Sequence, residues 1–144
     1  MNFAIEEAKL ASQRDEVPVG AVIVKDNEII ARAGNRTREL NDVTAHAEIL
    51  AIRQASQILN SERLTNLDLY VTLEPCAMCA AAISFARIRR LYIGTEDVKG
   101  GAVLNGPRFF QQDTCHHSPE VYSGFNEAMC ADILKSFFLK QREN

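Results

Sequence analysis

Positive charge is not in excess in this sequence: 16 lysines and arginines face 19 acids, giving a net charge of -3. That balance excludes broad electrostatic capture of nucleic acid, while a compact RNA site stays compatible with it, because local clustering matters more than the total. A long apolar run is also missing. The most apolar stretch, Cys76 to Ala86, falls well short of the ~18 residues that a membrane-spanning helix needs, so no membrane partner is expected. The start, Met1-Asn2-Phe3-Ala4-Ile5-Glu6-Glu7, is acidic where a secretory leader is basic, and the expected location is the cytoplasm. No repeat, low-complexity tract or linker interrupts the chain, so residues 1–144 are expected to form one domain. There is no second C-x-x-C, which removes the four-thiolate ribbon from consideration.

What is present is the composition of an ordinary globular protein, with 47% apolar and 24% charged residues. Residues 3–14 read as an amphipathic helix. Val19 to Val24 and Glu28 to Ala33, joined by Asp26-Asn27, read as a hairpin. A polar loop from Gly34 to Val43 follows, and Thr44 offers an N-cap for a helix from Ala45 to about Leu59. Residues 67–72 alternate as a strand, and Glu74-Pro75 supplies a helix start, since proline suits the first turn. That helix runs to Ala86. Arg90 to Gly94 is a strand, 97–118 a glycine-containing loop, Val121-Tyr122 a short strand and Asn126 to Lys140 a closing helix. Strands alternating with helices after a hairpin predict an α/β fold, a mixed sheet with helices on both faces.

Cysteines in a cytosolic chain are more often thiols or metal ligands than disulfides. Cys76 and Cys79 stand at i and i+3 in a predicted first helical turn, so both sulfurs point to one side. A helix N-terminus lowers thiol pKa values and favours the thiolates that zinc binds. His46 lies in the first turn of another predicted helix. Two thiolates and one imidazole make three ligands and leave a fourth position for water, as in catalytic zinc sites. Glu48, two residues after His46, puts a carboxylate where it can take a proton from that water. Taken singly these residues are ordinary: a lone histidine is usually a surface or core residue, and a lone C-x-x-C can be a redox pair. A structural zinc module would need a fourth protein ligand, with Cys115, His116, His117 and Cys130 the available suppliers.

Together, His-Ala-Glu at 46–48 and Pro-Cys-Ala-Met-Cys at 75–79 match the known signature of zinc deaminases, H-x-E…P-C-x-x-C. The chain resembles the bacterial tRNA-specific adenosine deaminases that edit the anticodon wobble base, within the cytidine deaminase-like superfamily. The likeness extends to residues 17–22, Gly34-Asn35-Arg36, residues 44–48, Leu73 to Cys79, Gly94 to Lys99 and the Phe137-Phe138 pair. It implies a three-layer α/β/α fold with a mixed central sheet of about five strands. It further implies one Zn2+ per chain on His46, Cys76 and Cys79, with Glu48 as the catalytic proton carrier. Substrate contacts from Asn35, Ala47 and Asp97, a C-terminal helix that helps to hold the tRNA anticodon loop, and a homodimer with its site near the interface are also implied. The expected reaction is hydrolytic: water adds at C6 of an extruded adenine, ammonia leaves and inosine remains. A deaminase of free nucleobases or nucleosides, guanine or cytosine among them, would use the same zinc and glutamate. Basic candidates for RNA contact are Arg36, Arg38, Lys99, Arg108, Lys140 and Arg142. Residues 103–125, with Gly106-Pro107-Arg108-Phe109-Phe110 and Cys115-His116-His117, depart from the family pattern where substrate-facing loops vary.

Overall fold

The computed structural model describes residues 1–143; Asn144, the end of the mildly basic final segment, lies outside the described residues. The chain opens with helix α1 (Asn2–Gln13), which buries Ala4, Ile5, Ala8 and Ala11 along one stripe. Strands β1 (Gly20–Lys25) and β2 (Glu28–Gly34) form the predicted antiparallel hairpin. Its turn residues Asp26 and Asn27 both take positive φ, at 50° and 65°, a conformation that Asp and Asn tolerate better than most. A short helix, α2 (Thr37–Leu40), follows, then α3 (Ala47–Leu59), β3 (Asp68–Leu73), α4 (Ala77–Ala86), β4 (Arg90–Thr95), β5 (Glu120–Ser123) and α5 (Glu127–Glu143).

The five strands form one mixed sheet in the order β2-β1-β3-β4-β5. β1 is antiparallel to both β2 and β3, whereas β3, β4 and β5 run parallel. Helices α1 and α5 pack on one face and α3 and α4 on the other, giving the expected α/β/α layers of a cytidine deaminase-like fold. Inward side chains of the strands, including Ala21, Ile23, Leu69, Val71, Leu91 and Ile93, share a buried cluster with Ala51 and Ala55 of α3 and Ile83 of α4. The small alanines let the helices lie close to the sheet. Gly20 does the same for α1: a Cβ there would strike the backbone oxygen of Ala4 and the backbone nitrogen of Ala8. Among the described residues, no helix is long and apolar enough to cross a membrane.

Three local expectations are corrected. The segment 34–43 is not wholly a loop, since α2 makes one helical turn within it; four residues are too few to show a hydrophobic period. Thr44 does not cap α3. Its hydroxyl and its peptide N–H both donate to Asp42 Oδ1, at 2.6 and 2.9 Å, and His46 takes the cap position in extended conformation. Likewise the helix expected from Pro75 begins at Ala77, with Cys76 as its cap.

Candidate active site

The candidate site residues gather at one edge of the sheet. β3 and β4 are parallel, so their C-terminal ends emerge together, leading to Glu74-Pro75-Cys76 and to Asp97. β1 and β2 are antiparallel, so the start of β1, after Val19, and the end of β2, before Asn35, arrive at the same edge. Helices α3 and α4 both begin there. Open α/β sheets place ligand sites at this kind of edge.

The sequence-predicted metal donors lie close to one another. His46 Nδ1 is 3.7 Å from Cys76 Sγ and 3.5 Å from Cys79 Sγ, and the three donor atoms all lie within 4.8 Å of one another. Cys76 and His46 are helix cap residues and Cys79 lies in the first turn of α4, so two helix N-termini converge on the cluster. The Cys76 thiol is held down at about 4, first by the hydrogen bond from Cys79 and then by His46. Cys79 is pushed the other way because it donates to Cys76 and is buried. The His46 pKa is raised, chiefly by its hydrogen bond with Cys76. A thiolate, a thiol that shares its proton with it and an imidazole are a soft, nitrogen–sulfur donor set, and they fit zinc. Cys115, His116, His117 and Cys130 stand apart from the cluster. Instead, Cys115 Sγ donates to the His117 carbonyl at 3.1 Å, and His117 Nε2 donates to the Ile88 carbonyl at 2.7 Å, as ordinary loop bonds. Cys130 is a buried residue of α5 itself.

Beside the cluster is a cavity of about 240 Å³, lined by Val17, Val19, Asn35, Thr37, His46, Ala47, Glu48, Leu73, Glu74, Cys76 and Asp97. This lies just below the ~300–1,000 Å³ of small-molecule sites, a size suited to a single planar ring system. Glu48 is buried, and burial pushes its pKa up to about 7 against the pull of its own peptide N–H and of His46. A carboxyl poised near neutrality suits general acid–base work. Asn35 is buried, with Nδ2 donating to Thr37 Oγ1 at 3.4 Å. Ala47 is fully buried at the start of α3. Asp97 reaches the cavity, yet its Oδ1 accepts from the peptide N–H groups of Lys99 at 3.2 Å and Gly100 at 2.9 Å, so the side chain also ties its own turn.

Sequence reasoning passed over Glu74 as a helix start and did not single out Thr37, although both line the cavity. The available signal was the position of Glu74 directly after a strand and two residues before a donor cysteine. The basic candidates scatter. Arg36 pairs with Glu39, and Arg38 donates to the Asp15 carbonyl at 3.2 Å. Lys140 lies along a groove between α1 and α5, and Arg108 is exposed beyond the site. Lys99 and Arg142, with Lys135 and Phe138, line an open groove that shares Val17, Leu73 and Asp97 with the cavity. Of the aromatic pair, Phe137 is buried and Phe138 exposed.

A three-layer mixed-sheet fold with a His/Cys/Cys cluster and a buried glutamate at its edge defines the deaminase class. The model of the MafB19-like deaminase family matches residues 1–142. A tRNA-specific adenosine deaminase from Agrobacterium fabrum is 66% identical over 142 residues, 99% of this chain and 93% of that protein. A solved structure from work on A-to-I editing by tRNA:A34 deaminases at the wobble position superposes with a TM-score of 0.92 at 67% identity, covering 93% of this chain and 97% of that one. A guanine deaminase structure from Bacillus subtilis is 40% identical, with a TM-score of 0.63 over 66% of this chain and 61% of that one. The chain belongs to the MafB19-like deaminase family and, within it, to the tRNA-specific adenosine deaminases.

Proposed function

We propose that residues 1–144 act as one domain that hydrolyses the wobble adenosine of tRNA anticodons to inosine, with one zinc ion per chain. The observation that carries this reading is the joining of two things on one cavity: three nitrogen and sulfur donors within 4.8 Å, and the buried carboxyl of Glu48. The likeness to tRNA-specific adenosine deaminases over 99% of the chain supports the substrate.

Mechanism follows from the residues. His46, Cys76 and Cys79 would hold zinc, which when bound supplies Lewis acidity that brings the pKa of a water to about 7. Glu48 would accept a proton from the attacking water, pass it to N1 of the adenine and later deliver a proton to the C6 amino group, which leaves as ammonia. The balance is adenosine plus water to inosine plus ammonia. Asn35, which lines the cavity beside Thr37, would hydrogen-bond the base edge, and Ala47 would supply a small wall. Val17, Val19 and Leu73 keep the cavity apolar. Asp97 borders both the cavity and the open groove, where the nucleotide sugar would pass. The groove, with Lys99, Lys135, Arg142 and exposed Phe138, suits phosphates and unstacked bases of an anticodon loop. The enzyme works in the cytoplasm as a homodimer, a reading supported by the family pattern and by exposed Ile58 of α3 and Phe85 of α4.

The test is metal analysis of the purified protein coupled to an assay on an anticodon stem–loop bearing adenosine. One zinc per chain is expected; stripping it with a chelator abolishes inosine formation and adding zinc back restores it. Full turnover by metal-free protein would overturn the proposal. The guanine deaminase relative gives free guanine a place among the control substrates.

A further inference from the structure

Glu74 is a charged side chain 2% exposed, and five hydrogen bonds converge on it from one stretch of chain. Its Oε1 accepts from the Asp97 peptide N–H at 3.1 Å and from Asn105 Nδ2 at 2.7 Å. Its Oε2 accepts from three successive peptide N–H groups, those of Val103 at 3.1 Å, Leu104 at 2.9 Å and Asn105 at 3.0 Å. Successive peptide N–H groups form a concavity that binds anions, and here the anion is the chain's own carboxylate. No arginine or lysine pairs with it among the described residues. Gly101 is held close as well, since a Cβ there would strike this carboxylate.

The two residues between β3 and Cys76 thus tie two parts of the site together. The Ala102 N–H donates to the Pro75 carbonyl at 2.9 Å, and the Glu74 N–H donates to the Thr95 carbonyl at 2.9 Å. The next residue, Cys76, is a candidate metal donor, and the segment that Glu74 gathers begins with Asp97 at the cavity's rim. We infer that Glu74 is a positioning residue, which sets the 97–105 segment against the metal cluster and so fixes the pocket wall that grips the substrate. This rests on the reading of the cavity as the base pocket.

The chemistry demands a carboxylate. Glutamine matches its shape, but in either amide orientation an NH2 group faces at least one peptide N–H, and a donor is left unsatisfied. The experiment compares the zinc-loaded wild type with Glu74→Gln and Asn105→Ala by zinc content, amide hydrogen exchange, and kcat and KM on the anticodon stem–loop. In Glu74→Gln, zinc stays at one per chain and exchange at Asp97, Val103, Leu104 and Asn105 accelerates while β3 keeps its protection. KM rises about tenfold with kcat within about threefold, the pattern of lost grip common to ground and transition states. Asn105→Ala, which removes one donor, shifts KM the same way by less. Unchanged exchange at the four amides, or a fall in kcat at constant KM, overturns the inference. If Glu74→Gln does not fold or loses zinc, Asn105→Ala decides: a rise in KM alone supports the role, and no change in KM refutes it. If the wild type leaves the stem–loop untouched, the substrate reading fails by itself, while hydrogen exchange and KM on the base it does deaminate still judge Glu74.

Discussion

In the proposed function Glu48 moves protons and the three donors hold the metal, and single substitutions separate the two roles. Glu48→Ala is expected to keep zinc and to lose kcat by about 10²–10⁴-fold, the range that positioned acid–base groups supply; metal analysis beside turnover checks it, and undiminished kcat would refute the role. Cys79→Ser should instead lose the metal and lower the midpoint of urea unfolding, because metal binding and folding are coupled. These four residues were legible because their spacing is local: His46 and Glu48 fall within one helical turn, and so do Cys76 and Cys79. Glu74 was not legible. Its partners lie 23 to 31 residues away, and a carboxylate two residues before a cysteine looks like any helix-start acid until the 97–105 segment folds over it. Asp97 shows the converse, a motif residue whose carboxylate also serves its own turn.

At the scale of elements, patterns of several residues were readable and boundaries were not. The stripe on α1, the alternation in β3 and the Asp26-Asn27 turn each carried a strong local signal. The caps of α3 and α4 both fall on a candidate donor residue, His46 and Cys76, because Asp42 captured the Thr44 hydroxyl and because the backbone stays extended through Cys76. The shift matters chemically: cap residues are extended, so these side chains reach toward each other across the gap between two helices. Packing between elements also sets a test. Gly20→Ala forces a Cβ into the α1 backbone at Ala4 and Ala8, and should destabilise the fold by about 1–3 kcal/mol as an overpacked site does. Urea denaturation measures it; a change near zero would mean that α1 does not sit as close to β1 as described.

For the whole molecule, the order of elements apart from α2 was readable, but the neighbours in the sheet were not. Nothing local says that β1 lies between β2 and β3 and is antiparallel to both, yet this placement brings Val19 and Asn35 to the same edge as Cys76 and Asp97. The polar balance of the chain likewise hid the groove, since Lys99, Lys135 and Arg142 come together only when α5 crosses beside β4. The proposed homodimer makes its own prediction. Phe85 is 72% exposed on α4, and Phe85→Lys should shift sedimentation from dimer to monomer; an unchanged dimer would move the interface elsewhere. Substrate choice is decided by a panel: purified, zinc-loaded protein incubated separately with an adenosine-bearing anticodon stem–loop, free adenosine, guanine and cytosine, with products read by mass spectrometry. Inosine at the first anticodon position is expected, with no comparable turnover of the free compounds. Deamination of guanine or cytosine with an unmodified stem–loop would contradict that expectation.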